Sequence, residues 1–443
     1  MDASCSRWKR TCAPCDGPFY IPPTLRPSRN WTRCPHPIKV ITFWENLLRN
    51  LRENGTVTPF FVFSPYPVEQ ALKSLCTIEK AVPVPVRHWF PCKAQPLAPL
   101  LDWWRRQNRP IEVASEFELM AARNIGFEPE NILVNGPGKA WLIGFEDLRR
   151  LRVNIDSENE LGVILPLAKE LDWSLGVRCL TSEETDPENP GCPTQFGLEP
   201  NRAVKVLRKL MRAGVRLETI HFHLRTNVES AEAYQRAIEQ VAHICRSAQF
   251  KPKYFDIGGG LPPPWIKSRS GKRLDSKMKL PALALVLARA VDLFPGLQEI
   301  WMENGRFLAA RSGVLVTMIR DRKVRNGLQQ LICDGGRTLN AMPSVWEKHA
   351  IFVLQPRYSK LIRSTVYGPT CMAFDQLGQM LLPSSLRIGD DLVWMDAGAY
   401  HLQWETRFSH GHAEIWWHED SMVQRIRSNG QFCAWWENIG GLQ

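Results

Sequence analysis

The stretch TIHFHLRTNVESAEAYQRAIEQVAHICRSAQFKPKYFDIGGG, from Thr219 to Gly260, decides the fold. Thr219–Leu224 reads as one short strand and Tyr254–Ile257 as another. Between them ESAEAYQRAIEQVAHICRSA places apolar residues at i, i+3, i+4 and i+7, one buried face of a helix. Working outward, the same alternation recurs. Strand-like runs at Val86–Phe90, Ile111–Ala114, Asn131–Asn135, Arg152–Ile155, Ser174–Leu180 and Glu299–Met302 are separated by amphipathic segments such as PLAPLLDWWRRQN and EPNRAVKVLRKLMRAG. Eight strands alternating with helices over about 220 residues predict an α/β fold, a (β/α)8 TIM barrel.

After Arg306 the texture changes. SGVLVTMIR, QQLICD, IFVLQ, DDLVWMD and AEIWWH are strand-like and are separated by Gly and Asp turns, which predicts a second, mainly antiparallel β domain. The expected organisation is an irregular extension over 1–37, a segment over 38–63 that joins the β domain, a barrel over 64–305, the β domain over 306–425 and a tail over 426–443. The Pro- and Glu-rich run 181–197 is a long excursion at a strand end.

With 44% apolar and 23% charged residues, the 443-residue chain is neither disordered nor short of core material. No apolar run approaches the ~18 residues of a membrane span, and the N-terminus lacks the apolar block of a secretory signal. A cytoplasmic protein with no membrane partner is expected. The net charge of +11 is concentrated at the start, where residues 1–55 hold nine Lys/Arg and four Asp/Glu. Elsewhere no Lys/Arg run exceeds two, so the charge argues for anionic small ligands rather than nucleic acid. Twelve cysteines are too sparse for a disulfide scaffold. Cys5, Cys12, Cys15 and Cys34 crowd the extension, but Cys34-Pro-His36 is not a usual second zinc knuckle, and no metal site is expected.

In a (β/α)8 barrel the chemistry collects at the C-terminal strand ends. Here those ends carry Lys93, Glu112, Asp156, Arg178, His223, Gly258-Gly259-Gly260, and Glu303 with Arg306. The glycines let backbone N–H groups approach an anion, and the three prolines that follow keep a helix from starting at once. Taken alone, the run is a tight turn; with Arg306 at the same mouth it becomes a phosphate site. Lys93, in PCKAQP, is either a solvated loop lysine or an amine able to form a Schiff base, its pKa lowered by desolvation. His221 and His223 share one face of their strand, where an imidazole either joins the core or lies against a flat ring. Glu303 either pairs with Arg306 or holds a ring nitrogen protonated. A Schiff-base lysine, an anion nest, an imidazole and a ring-nitrogen acid together describe a pyridoxal 5'-phosphate (PLP) site.

The motifs resemble those of the fold-type III PLP-dependent decarboxylases, the ornithine/diaminopimelate decarboxylase family, which shares the barrel of alanine racemase. The resemblance runs from about Thr58 to Glu419. CKAQP is similar to the family's Schiff-base lysine motif and implies that role for Lys93. HFHLRT implies that His223 stacks on the cofactor and that Thr226 offers a phosphate-side hydroxyl. FDIGGGLP implies phosphate binding at Gly258, Gly259 and Gly260; ENGR implies Glu303 on the ring nitrogen and Arg306 on the phosphate. GAY implies phosphate contact by Tyr400, and CDGG substrate contact by Asp334. GPTC implies that Cys371 reaches into a partner subunit's site and reprotonates the product, so a homodimer with shared sites is expected.

Three departures bear on the substrate. Met372 stands where the family has an acid that meets a distal ammonium, Arg225 stands in place of a glycine, and Arg337 adds a cation near Asp334. Lost anions and gained cations point to a substrate with a carboxylate-rich or conjugated tail, as in a natural-product or siderophore branch, although Asp334 points the other way. The resemblance therefore implies PLP-dependent α-decarboxylation of an amino acid or its conjugate. A racemase on the same barrel and a non-catalytic regulatory relative stand as the alternatives.

Overall fold

The computed structural model describes residues 19–20, 38–184, 194–355, 357–406, 408–428 and 432–441. The cysteine cluster Cys5, Cys12, Cys15 and Cys34, with His36, lies outside the described residues.

Parallel strands close into a ring in sequence order: Val86–His88 with Phe90–Pro91, then Ile111–Val113, Ile132–Val134, Arg152–Ile155, Ser174–Arg178, Leu217–His221, Tyr254–Asp256 and Glu299–Met302. The first position is split at Trp89. Val86–His88 pairs with Glu299–Met302 and Phe90–Pro91 pairs with Ile111–Val113, so the two halves join the ends of the sheet.

Strand periodicity sorts the side chains. Ile111, Val113, Ile132, Val134, Val153, Ile155, Phe255 and Ile257 belong to the main core between strands and helices. The alternate residues face the barrel interior. At one end Trp89, Leu133 and Trp301 form their own buried cluster, with Tyr254 stacked on Trp301 at 4.6 Å and Arg152 lying over both rings. Toward the other end the interior turns polar, with Glu112, Asn154, His221 and Asp256 all buried. Gly176 makes room for this layer, because a Cβ there would strike Asn154 and lie 2.8 Å from the Cβ of Thr219.

The helices are set by local signals. Ser115 caps helix Glu116–Ile125 by accepting from the Glu118 N–H at 3.3 Å, while the Glu118 carboxylate accepts from the Ala114 N–H at 2.7 Å. That reciprocal cap fixes the turn after the strand that carries Glu112. Pro200 opens helix Pro200–Ala213, and Gly214, at φ +68°, ends it.

The second sheet is mixed, with most pairings antiparallel. Phe60–Phe63 pairs antiparallel with Gly313–Arg325 and parallel with Glu414–Glu419, and Leu328–Cys333 pairs parallel with Leu361–Tyr367. Helix Ile38–Glu53 buries Trp44, Leu47, Leu48 and Leu51 against Phe60, Val62, Val314 and Trp416 of this sheet. Phe19–Tyr20 adds a short strand beside Met422–Arg427. Among the described residues no helix is long and apolar enough to cross a membrane. The sequence pattern did not reveal one feature. Helix Ala341–Val345 and strand Glu347–Lys348 leave the β sheet, and the strand pairs antiparallel with Lys267–Ser268.

Candidate functional site

A cavity of about 300 Å³ lies at the C-terminal ends of the barrel strands. Lys93, His223, Thr226, Gly260, Glu303, Arg306 and Tyr400 all line it, although they come from sequence positions 300 residues apart. Lys93 stands in the single turn Cys92–Ala94, directly after the first strand. Its Nζ lies 2.7 and 2.6 Å from the two oxygens of Glu112, which is fully buried. Burial pulls the Lys93 amine down, but the carboxylates of Glu112 and Glu303 outweigh it and hold it above the ordinary lysine value. The lowered pKa expected from the sequence is thus corrected: two facing carboxylates reverse it. Burial raises Glu112, against the pull of Lys93.

Glu303 ends the last strand and is buried. Its Oε1 accepts from the Asn135 amide, and the Asn135 Oδ1 accepts from Asn154 at 2.8 Å. Asn154 also reaches Asp256 at 3.3 Å, and Asp256 lies 3.0 Å from the Nδ1 of His221. This interior network was not read from the sequence. Its signal was one polar residue between apolar neighbours in each strand, as in Val153-Asn154-Ile155 and Phe255-Asp256-Ile257. Burial raises Glu303, but His223, His221 and Lys93 outweigh it, so its carboxyl stays below the usual range. Burial and the neighbouring Glu303 push Asp256 well above that range. Of the two carboxyls, Glu303 is the one that ionises more readily. Atoms of His221, Asp256 and Glu303 able to ligate a metal lie within 4.8 Å of one another, and this polar layer occupies all three.

His223 accepts from the Gly259 N–H at 3.1 Å through Nδ1, which lies 3.5 Å from Glu303. Burial pushes His223 and His221 down to about 4, so both rings are neutral at ordinary pH. The glycine turn is sterically required. Gly258 (φ +64°) and Gly260 (φ +104°) are left-handed, and a Cβ on Gly260 would lie 2.7 Å from Val228. The N–H of Gly258 donates to Asp256 and that of Gly259 to His223. Only the Gly260 N–H lacks a partner among the described residues, so the turn offers one free amide rather than three. Arg306 donates to Asn227 at 3.1 Å and also contacts Glu347, and burial pulls it down to about 10. Glu347 is a further residue the sequence reading missed, because it fell inside the span expected for the β domain and carried no strand signal of its own.

Other candidates sit apart. Arg225 lines an outer chamber and donates to the Glu183 carbonyl at 3.2 Å. Asp334 accepts from Thr58 at 2.6 Å, from Arg320 at 2.9 Å and from the Met318 N–H at 2.8 Å, and it does not line the cavity of its own chain. Neither do Arg337, Cys371 and Met372. Cys371 is exposed, in a loop shaped by Asp375, which accepts from the N–H groups of Arg337 and Thr370 at 2.7 and 3.1 Å.

Around one space the chain offers an amine, an ionised carboxylate, a neutral imidazole, a free backbone amide and an arginine. That donor set fits a phosphate ester with a protonated ring nitrogen, and the glycine turn leaves open the volume that a Cβ would fill.

The chain is similar to the diaminopimelate decarboxylase of Thermoplasma acidophilum, 24% identical over 359 residues, covering 80% of this chain and 85% of that one. It is 25% identical over 409 residues to the L-glutamyl-(BtrI acyl-carrier protein) decarboxylase of Niallia circulans, covering 85% and 90%. The fold matches that of the M. jannaschii diaminopimelate decarboxylase in complex with L-lysine, with a TM-score of 0.78, 18% identity, and coverage of 88% and 94%. Residues 69–310 match the family described as pyridoxal-dependent decarboxylase, pyridoxal binding domain; with the fold and the cavity, this places the chain among the PLP-dependent decarboxylases, carboxy-lyases that act on amino acids.

Proposed function

We propose that Lys93 holds PLP covalently, that the chain removes the α-carboxylate of an amino acid or an amino-acid conjugate, and that Cys371 of a second copy returns a proton to Cα. The convergence of Lys93, His223, Glu303 and Arg306 on one cavity carries this reading. When bound, PLP supplies an electron sink for the pair left as the Cα–carboxylate bond breaks. Glu303, kept ionised, holds the ring nitrogen protonated and the sink strong. His223, neutral and lining the same cavity, would face the ring without competing for that proton. Arg306, the Gly260 N–H, Thr226 and Tyr400 take the phosphate. Lys93 must lose a proton to become a nucleophile, and the Glu112 carboxylate, 2.6 Å away, is placed to take it.

The proton donor supports a homodimer with shared sites. Cys371 is exposed and outside the cavity of its own chain, so a second copy must bring it there. A conjugated substrate fits the cations around Arg225 and agrees with a relative that acts on a glutamyl group borne by a carrier protein.

The test is the visible spectrum of the purified protein before and after borohydride. A coenzyme band that bleaches, with added mass on the Lys93 peptide, and CO2 release in a screen of free and conjugated amino acids are the expected results. A protein that stays colourless with added PLP would overturn the reading.

A further inference from the structure

The inner cavity opens into an outer chamber of about 1,010 Å³, and the two share Arg178, His223, Thr226, Arg306 and Tyr400. A space of that size suits a ligand of drug-like bulk, for which pockets run to roughly 300–1,000 Å³, and exceeds what a free amino-acid side chain fills.

Its charge is one-sided. Seven Lys/Arg side chains line it against three glutamates. The carboxylates are already committed: Glu184 to Arg178 at 2.6 Å, Glu347 to Arg306 and His349, and Glu229 to Lys277 at 3.1 Å and Lys272 at 3.8 Å. Arg273 is held by Asp275 at 2.6 Å. That leaves Arg225 and Arg269, whose hydrogen bonds go to backbone carbonyls, of Glu183 at 3.2 Å and Val345 at 3.0 Å. Neither has a carboxylate within ion-pair distance among the described residues. Two planar, permanently charged forks facing one chamber match a phosphate-type anion.

The wall also has an apolar element. Trp346 and Trp404, 45% and 52% exposed, both line the chamber with ring centroids 5.4 Å apart. Indole faces pack well on a flexible alkyl and amide chain. Four of these seven cations, Arg269, Lys272, Arg273 and Lys277, come from residues 265–279, which add Lys267 and Lys279 and a single acid, Asp275.

We infer that the substrate is an amino acid joined at its far end to a long arm bearing a phosphate-type anion. Arg225 and Arg269 take the anion, Trp346 and Trp404 flank the arm, and the basic segment 265–279 faces the acidic protein that carries it. The inference deepens the decarboxylase reading of the inner cavity and rests on it for the reacting end of the substrate.

The test is calorimetric titration of the full-length protein with 4'-phosphopantetheine and with pantetheine, which lacks the phosphate. Neither probe requires the chemical step. The phosphorylated probe should bind about tenfold tighter or better, and the gap should shrink as salt rises from about 0.05 M to about 0.5 M. The double variant Arg225→Ala/Arg269→Ala should close the gap while keeping the coenzyme band, which reports that it folds. Equal affinity of the two probes for the wild type, or a gap unchanged in the variant, overturns the inference. An acidic carrier protein loaded with the arm should bind tighter than coenzyme A; the reverse order would reassign the arm to a soluble thioester and overturn the carrier. If the wild type takes up no PLP, the decarboxylase reading fails, while the probe titration still decides the subsite.

Discussion

The Nζ of Lys93 sits 2.6 and 2.7 Å from the two carboxylate oxygens of Glu112, so one buried acid grips the amine with both of its atoms. Glu112 comes from the next barrel strand, beside the turn that carries Lys93. The acid holds the amine above the ordinary lysine value, and in the proposed reaction it would also accept the proton that the amine gives up. Glu112→Gln removes the first effect. Burial then weighs more heavily at Lys93 against the remaining pull of Glu303, and its pKa should fall. The pH at which added PLP develops its visible band should therefore drop by about 1–2 units. An unchanged midpoint would show that Glu112 does not control the amine.

A second expectation concerns acid stability. His221 and His349 are pushed down to about 4 by burial, and burial also lowers His401, to about 3. The unfolded chain protonates these rings near pH 6.5 and the fold resists until near 4, so between those values the unfolded state binds more protons. Stability must then rise with pH across that window, and it is lost as pH falls from about 6.5 toward 4. Each ring contributes on the order of 1 kcal/mol per pH unit. Urea midpoints measured across the window should decline steeply on the acid side; a flat profile would mean that the rings are charged in the native state. For the same reason His223 should add no inflection near pH 6.5 to the profile of kcat/KM.

The glycine turn gives a steric prediction. The backbone of Gly259 needs no left-handed angle, yet a Cβ there would strike the carbonyl oxygen of Glu303. Gly259→Ala should push the end of the Glu303 strand outward, costing roughly 1–3 kcal/mol of stability. Because Glu303 moves with its strand, PLP affinity should fall more than in a matched substitution on the barrel's outer face. Equal losses would reduce the effect to general destabilisation.

What could be read in advance follows from period and spacing. Alternation of short apolar strands with 3.6-period helices gave the barrel because each element repeats its own signal over several residues. Lys93, His223, Glu303 and Arg306 stood out because barrel topology brings strand ends to one mouth. The interior layer of Asn135, Asn154 and Asp256 did not, because one inward polar residue in or just after a strand of three or four residues has no period to reveal which face it takes. Glu347 was hidden for a different reason: it reaches Arg306 through a strand pairing, Ser268 with Glu347, that joins segments almost 80 residues apart. Only the folded chain brings them together.

The final prediction tests whether active sites are shared. Lys93 and Cys371 do not share a cavity within one chain. If each site takes Lys93 from one copy and Cys371 from the other, Lys93→Ala and Cys371→Ala fail for different reasons and complement each other. Random mixing makes half the dimers heterodimers. In each of these, one site carries both lesions and the other carries none. The mixture should thus recover about a quarter of wild-type decarboxylation from two nearly inactive proteins, as closed two-fold symmetry requires. The measurement is CO2 release after the two variants are mixed under conditions that exchange subunits, with gel filtration to follow the dimer. Activity no greater than the average of the two variants, with dimers shown to exchange, would mean that the sites do not combine Lys93 of one copy with Cys371 of the other.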